Sequence, residues 1–168
     1  MKPDQKSSQP RNAAGIIPAL ACFTCFYGAS FLGYFGGSQG MWFWYIVQRR
    51  PAWAIPSWSF TLVWTILYGV LAFATWNVWI SESNPARSFG LILMSLEVAM
   101  LVAWPWQFFA WHQPIASWVV AAIAAATSIA TCITFWLVKP KAGVMVLITL
   151  PWFIYAGLLD AAIWVLNR

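Results

Sequence analysis

Charge is what this sequence has least of. Only 8% of its 168 residues are Asp, Glu, Lys or Arg, against 62% of hydrophobic types. A soluble domain carries about 25% charged residues, and so few charges cannot cover a water-soluble globule of this size. Lipid as the main solvent removes the difficulty. The length suits one domain. No dense basic patch exists either. Lys2, Lys6, Arg11, Arg49, Arg50, Arg87, Lys139, Lys141 and Arg168 are scattered through segments flanking apolar runs. That pattern fits interfacial anchors and topology signals and argues against a nucleic-acid partner, which needs cationic groups clustered on a solvated face.

Other shortages exclude other chemistry. His112 is the sole histidine, and one His without a partner is a poor metal site. With the Ser and Thr hydroxyls it forms no visible nucleophile–base arrangement. The three cysteines, Cys22, Cys25 and Cys132, all lie inside apolar runs. Cys22 and Cys25 have redox or metal spacing, but no second pair completes a zinc site, and small packing residues are the plainer reading. The Gly36–Gly40 stretch lacks the Lys and helix context of a phosphate-cradling loop. Residues 1–12 are polar and read as a flexible tail, with no cleavable leader evident, ahead of a transmembrane domain over 13–168.

What the chain has is long apolar runs. A span needs about 20 mostly apolar residues. Five candidates follow: Ala13–Phe35, Ser57–Ile80, Ser88–Trp111, Ile115–Val138 and Gly143–Leu166. The fold class is therefore all-α, an integral membrane bundle of five transmembrane helices with a long loop between the first two. Gly36 to Gly40 is expected to break the first helix. In the loop, Pro51 and Pro56 argue against continuous helix, leaving room for a short interfacial helix from Trp42 to Val47. Short turns elsewhere force antiparallel neighbours. Six of the nine basic residues then fall on the N-terminal side, which favours a cytoplasmic N-terminus. Gly33/Gly37 and Gly36/Gly40 form GxxxG pairs, read as packing inside the bundle, with a homodimer face as the alternative.

Fourteen tryptophans exceed what interfacial belts require. Phe60, Trp64, Tyr68, Ala72 and Trp76 recur every four residues and share one helix face. Spacing alone fits a packed interface or a wall for a flat aromatic ligand. Glu97 and Asp160 are the only acidic residues within spans, and no Lys or Arg lies within a span to neutralise them. At about 1.5 Å per residue they sit roughly 14 Å and 25 Å deep and are not a direct pair. Buried neutral carboxyls bonded to neighbouring helices, proton relay and ligand contact all remain open.

One stretch carries a resemblance. Trp44-Tyr45, then Arg50-Pro51, Trp53, Pro56, Phe60, Trp64 and Leu67-Tyr68 resemble the signature of the translocator protein family, also called tryptophan-rich sensory proteins: WY…KPxWxPP…F…W..LY. Arg50 stands for the Lys and Ile55 for the first Pro of the pair. Trp104 with Phe108-Phe109 is similar to the family's W…FF. Pro151 and the Leu159-Asp160…Ile163-Trp164…Leu166-Asn167 ending resemble its last helix. The resemblance covers residues 28–168 and implies a five-helix bundle whose first loop lids a cavity for porphyrins, haem, sterols in animals or benzodiazepine-type ligands.

Carried over by position, the resemblance puts Trp53 in the lid, Trp64 on the second helix and Tyr155 on the fifth. It places Leu101 where Asn is usual, Glu97 where Gln is usual, Asp160 where Asn is usual and Tyr155 where Trp is usual. With the aromatic face added, the expected ligand-binding set is Trp53, Phe60, Trp64, Tyr68, Glu97, Leu101, Trp104, Tyr155 and Asp160. Helix rise places Trp64, Leu101 and Tyr155 at one depth, so all three could line a single cavity under the lid. The implied function is a non-enzymatic receptor or carrier for a tetrapyrrole, porphyrin or haem, with no cofactor required. Arg49 or Arg50 would meet propionates at the mouth. A light-dependent porphyrin-degrading enzyme and a proton-coupled transporter using Glu97 and Asp160 are the alternatives. The membrane would be mitochondrial outer or another organelle's in a eukaryote, the cell envelope in a bacterium.

Overall fold

The computed structural model describes residues 13–168, so the polar tail and the basic residues Lys2, Lys6 and Arg11 lie outside the described residues. Five helices follow in order: α1, Ala13–Phe43; α2, Ser57–Trp79; α3, Pro85–Pro105; α4, Pro114–Val138; and α5, Pro140–Asn167. Each contains a stretch long and apolar enough to cross a bilayer. Lipid cannot satisfy backbone N–H and C=O groups, and a helix satisfies them internally.

Local chemistry sets the boundaries. Pro85, Pro114 and Pro140 each open a helix, where proline's missing N–H costs nothing and its φ is already helical. Asn84 caps α3 by accepting the Arg87 backbone N–H at 2.8 Å. The Arg87 side chain turns back and donates to the carbonyls of Trp79 (2.6 Å) and Val78 (3.3 Å). One residue thus closes both ends of the α2–α3 turn.

The glycine stretch does not end α1. The helix runs through Gly36, Gly37 and Gly40 to Phe43. Gly33, Gly36, Gly37 and Gly40 form one face, and that face lies against Pro105–Phe109. A Cβ on Gly37 would stand 3.0 Å from Pro105 Cβ; one on Gly40 would overlap the Phe109 backbone, and one on Gly36 the Trp106 ring. Small residues here permit close approach of two backbones. The seam lies within the chain, and tertiary packing overrides glycine's weak helix propensity.

Two further expectations are revised. The loop from Trp44 to Pro56 holds only a single 3₁₀ turn, Tyr45–Val47, because α1 itself extends across the first part of the expected interfacial helix. The third span is not α-helical throughout. After Pro105 it widens into a π-helical turn, Trp106–Ala110, closed by Trp111 N–H to the Trp106 carbonyl at 2.9 Å. Pro105 lacks the N–H that would continue the α ladder, and widened turns restore the pairing. The extra residue turns Phe108 and Phe109 inward together.

The antiparallel order puts the loop, the α3–α4 turn and the end of α5 at one end of the bundle. α4 packs on α3 and α5, while α1 lies on α2 and α3 and α2 also reaches α5.

Candidate functional site

Trp64 stands at the meeting point of α2, α3 and α5. Its ring centroid is 5.9 Å from those of Tyr68, Trp104 and Trp152, and 6.3 Å from that of Phe153. Trp104 in turn stacks on Phe108 (5.5 Å, 13°) and meets Phe109 edge-on. Edge-to-face and offset contacts of this kind are the preferred geometries of aromatic pairs.

The aromatic cluster fills the space under the loop. Trp53 meets the Tyr155 ring edge-on at 5.7 Å, and Tyr155 stacks on Trp152 at 5.2 Å. The Tyr155 hydroxyl accepts the Ile55 backbone N–H at 3.0 Å. Tyr45 has no exposed surface and is ringed by Phe60, Phe108 and Phe109. Burial pushes its hydroxyl pKa up. Asn167, at the end of α5, grips the loop: its Oδ1 accepts the Arg49 N–H, and its Nδ2 donates to the Arg49 carbonyl, both at 2.9 Å. Arg50 rests its guanidinium 5.3 Å from the Tyr45 ring centroid. Trp44 stacks on His112 at 4.7 Å. Loop, α5 and the α3–α4 turn are therefore tied together, with Trp53 and Tyr155 used as fasteners.

The hollow lined by the α2 aromatics opens at the side instead. A cleft of about 270 Å³ runs between α1 and α2 and is floored by α3. Phe60, Trp64 and Tyr68 of α2 and Leu101, Trp104 and Phe109 of the third span line it. Tyr27, Ser30, Tyr34, Thr61 and Thr65 add hydroxyls. Tyr27, Phe31 and Tyr34 are 42%, 66% and 52% exposed, so the cleft opens on the lipid-facing flank of α1. No charged residue lines it. Of the expected set, Phe60, Trp64, Tyr68, Leu101 and Trp104 come together here, Trp53 belongs to the loop and Tyr155 lies beneath it, and Glu97 and Asp160 are fully buried in the bundle outside the cleft lining.

Both carboxyls are without exposed surface. Asp160 Oδ2 accepts the Trp104 indole N–H at 2.8 Å, while its Oδ1 has no hydrogen-bond partner. Glu97 lies by Ser128 and Thr131 of α4, and both of its oxygens, like Ser128 Oγ, are unpartnered. From the start of α3, Glu97 is about 18 Å deep; Asp160 is about 30 Å from the start of α5. The two carboxyls are separate stations.

The chain matches the TspO/MBR family over residues 21–165. It belongs to that family. Similar proteins include Protein CrtK of Rhodobacter capsulatus, 28% identical over 74% of this chain and 78% of that protein. The Tryptophan-rich protein TspO of Archaeoglobus fulgidus is 26% identical over 90% of this chain and 98% of its own length. The Translocator protein of Homo sapiens is 25% identical over 89% and 85%. Five apolar helices in a TspO/MBR chain make this a multi-pass integral membrane protein.

Sequence reading of this TspO/MBR chain missed several residues. Tyr27 and Tyr34 recur at i, i+7 on α1, a spacing shared with any packed face. Phe109 reaches the cleft only because the π turn rotates it inward. Asn167 carried no signal for its grip on Arg49, a residue 118 positions away.

Proposed function

We propose that this TspO/MBR chain takes a flat, largely apolar ring ligand from the bilayer into the cleft between α1 and α2. A tetrapyrrole is the class that fits best. The observation that carries this reading is an open, lipid-facing cleft walled by Phe60, Trp64, Tyr68 and Trp104. Broad aromatic faces stack on a conjugated macrocycle. Ligand pockets typically hold about 300–1,000 Å³, so a cleft slightly below that range takes one edge of a macrocycle. The lining lacks cationic groups, so carboxylates on the ligand stay outside at the mouth. The name of the human relative, translocator protein, supports carriage over catalysis.

The test is titration of protoporphyrin IX into the detergent-purified protein, followed by Trp quenching. Saturable quenching is expected, with affinity at least tenfold weaker in Trp64→Ala, about 1.4 kcal/mol. Ser30→Phe, which fills the cleft from α1 and leaves the Trp64 cluster in place, should weaken binding comparably. Absence of saturable quenching, or unchanged affinity in both variants, overturns the proposal.

A further inference from the structure

One side chain separates the cleft from a buried carboxyl. Trp104 lines the cleft and also donates its Nε1–H to Asp160 Oδ2. Ser117 of α4 is a neighbouring hydroxyl not hydrogen-bonded to Asp160, and its own O–H is given to the Pro114 carbonyl at 3.0 Å. Asp160 Oδ1 has no partner.

The hydrogen-bond inventory then separates the two states of this carboxyl. An ionised carboxylate only accepts. It would leave Oδ1 without a donor at a site with no exposed surface, which is costly. A neutral acid carries its own donor. Its O–H can go to the free lone pairs of Ser117 Oγ, and Trp104, Asp160 and Ser117 are then all paired. The titratable group facing Asp160 is Tyr45 from the loop, which itself lies near Tyr155 of α5 and carries Arg50 across its ring. The Tyr45 hydroxyl is buried and itself unpartnered. Asp160 lies seven residues from Asn167, about 10 Å below the loop end of the bundle, so a proton has a short path to that side.

We propose that Asp160 is a proton-binding site that gates the cleft through Trp104. With the proton bound, the indole is fixed as the cleft floor and the ligand stacks on it. With the proton lost, the unpaired carboxylate draws in water or another donor, and the floor shifts. This inference rests on the cleft being the ligand site. It differs from a general use of both acids, because Glu97 has no such bridge to the cleft.

Two readouts test it. Infrared spectroscopy of the ligand-free, bilayer-reconstituted protein reads the C=O stretch of neutral carboxylic acids. Asp160→Asn should remove part of that band, and raising the pH should remove the same part in the wild type. Protoporphyrin IX is then titrated across pH against wild type and variants, so that the ligand's own ionisation cancels. Wild-type affinity should fall about tenfold per pH unit once Asp160 releases its proton. Asp160→Asn keeps an acceptor for Trp104 and a donor for Ser117, and should bind without that extra slope. Trp104→Phe, which lacks the N–H, should keep the infrared band and lose the slope. A band indifferent to Asp160→Asn, or identical pH profiles in wild type and Asp160→Asn, overturns the proposal. If the wild type binds no porphyrin at any pH while Asp160→Asn still removes the band, it is the cleft reading that fails, and the gate fails with it, leaving only the proton site.

Discussion

At the residue scale, the loop is held by a few polar atoms acting on backbone groups. Asn167 pairs with both the N–H and the C=O of Arg49, and Tyr155 accepts from Ile55. Each such bond contributes about 1 kcal/mol net. Asn167→Ala is expected to loosen the loop without unfolding the bundle, seen as faster tryptic cleavage after Arg49, since Pro51 protects the bond after Arg50, and a small drop in melting temperature. An unchanged cleavage rate would show that the aromatic contacts of Trp53 and Trp44, with the Tyr155–Ile55 hydrogen bond, hold the loop without Asn167. The identity of these residues was visible in the sequence, and the resemblance marked Trp53, Tyr155 and the Leu166-Asn167 ending as motif positions. Their use as fasteners was not visible. A hydrogen bond to a distant backbone depends on where the two helix ends meet, and no local pattern encodes that.

At the element scale, α1 is the helix most affected by its partners. Its glycine face reads locally as a break, and its seam with the Pro105–Phe109 segment makes it a continuous helix. Gly40→Ala would drive a Cβ into the Phe109 backbone, and overpacking of this kind costs about 1–3 kcal/mol. Gly28 is a control on the same helix, since a Cβ there meets nothing within 4 Å. Gly28→Ala should be neutral or stabilising by up to about 1 kcal/mol through helix propensity. Thermal unfolding in one detergent compares the two; equal effects would show that the seam is loose. The π turn belongs to the same scale. Pro105 removes one donor from the α ladder, and the widened turn that follows packs on the glycine face of α1.

For the whole molecule, the aromatic-walled cleft faces lipid beside α1, while Trp53, Tyr155 and Asn167 hold the loop against α5. A ligand should therefore arrive from the bilayer. In liposomes, the midpoint of porphyrin quenching is expected to follow the mole fraction of porphyrin in the lipid when the lipid-to-protein ratio is varied. A midpoint that tracks aqueous concentration would place entry at the loop instead. Composition and apolar run length determined by themselves that this chain is a five-helix membrane protein, because lipid leaves a polypeptide few other ways to satisfy its backbone. The starts of α3, α4 and α5 fall at Pro85, Pro114 and Pro140, one to three residues before the apolar runs expected from Ser88, Ile115 and Gly143, because proline suits a first helical position. The depth argument grouped Trp64, Leu101 and Tyr155 at one level. Packing then divided them, with Trp64 and Leu101 on the cleft and Tyr155 under the loop, because rise along an axis fixes height and says nothing of which side of a neighbour a residue meets. Only the tertiary structure decided where the hollow lies and that Trp104 joins it to Asp160, since both depend on side chains from helices far apart in the chain filling one space and leaving another empty.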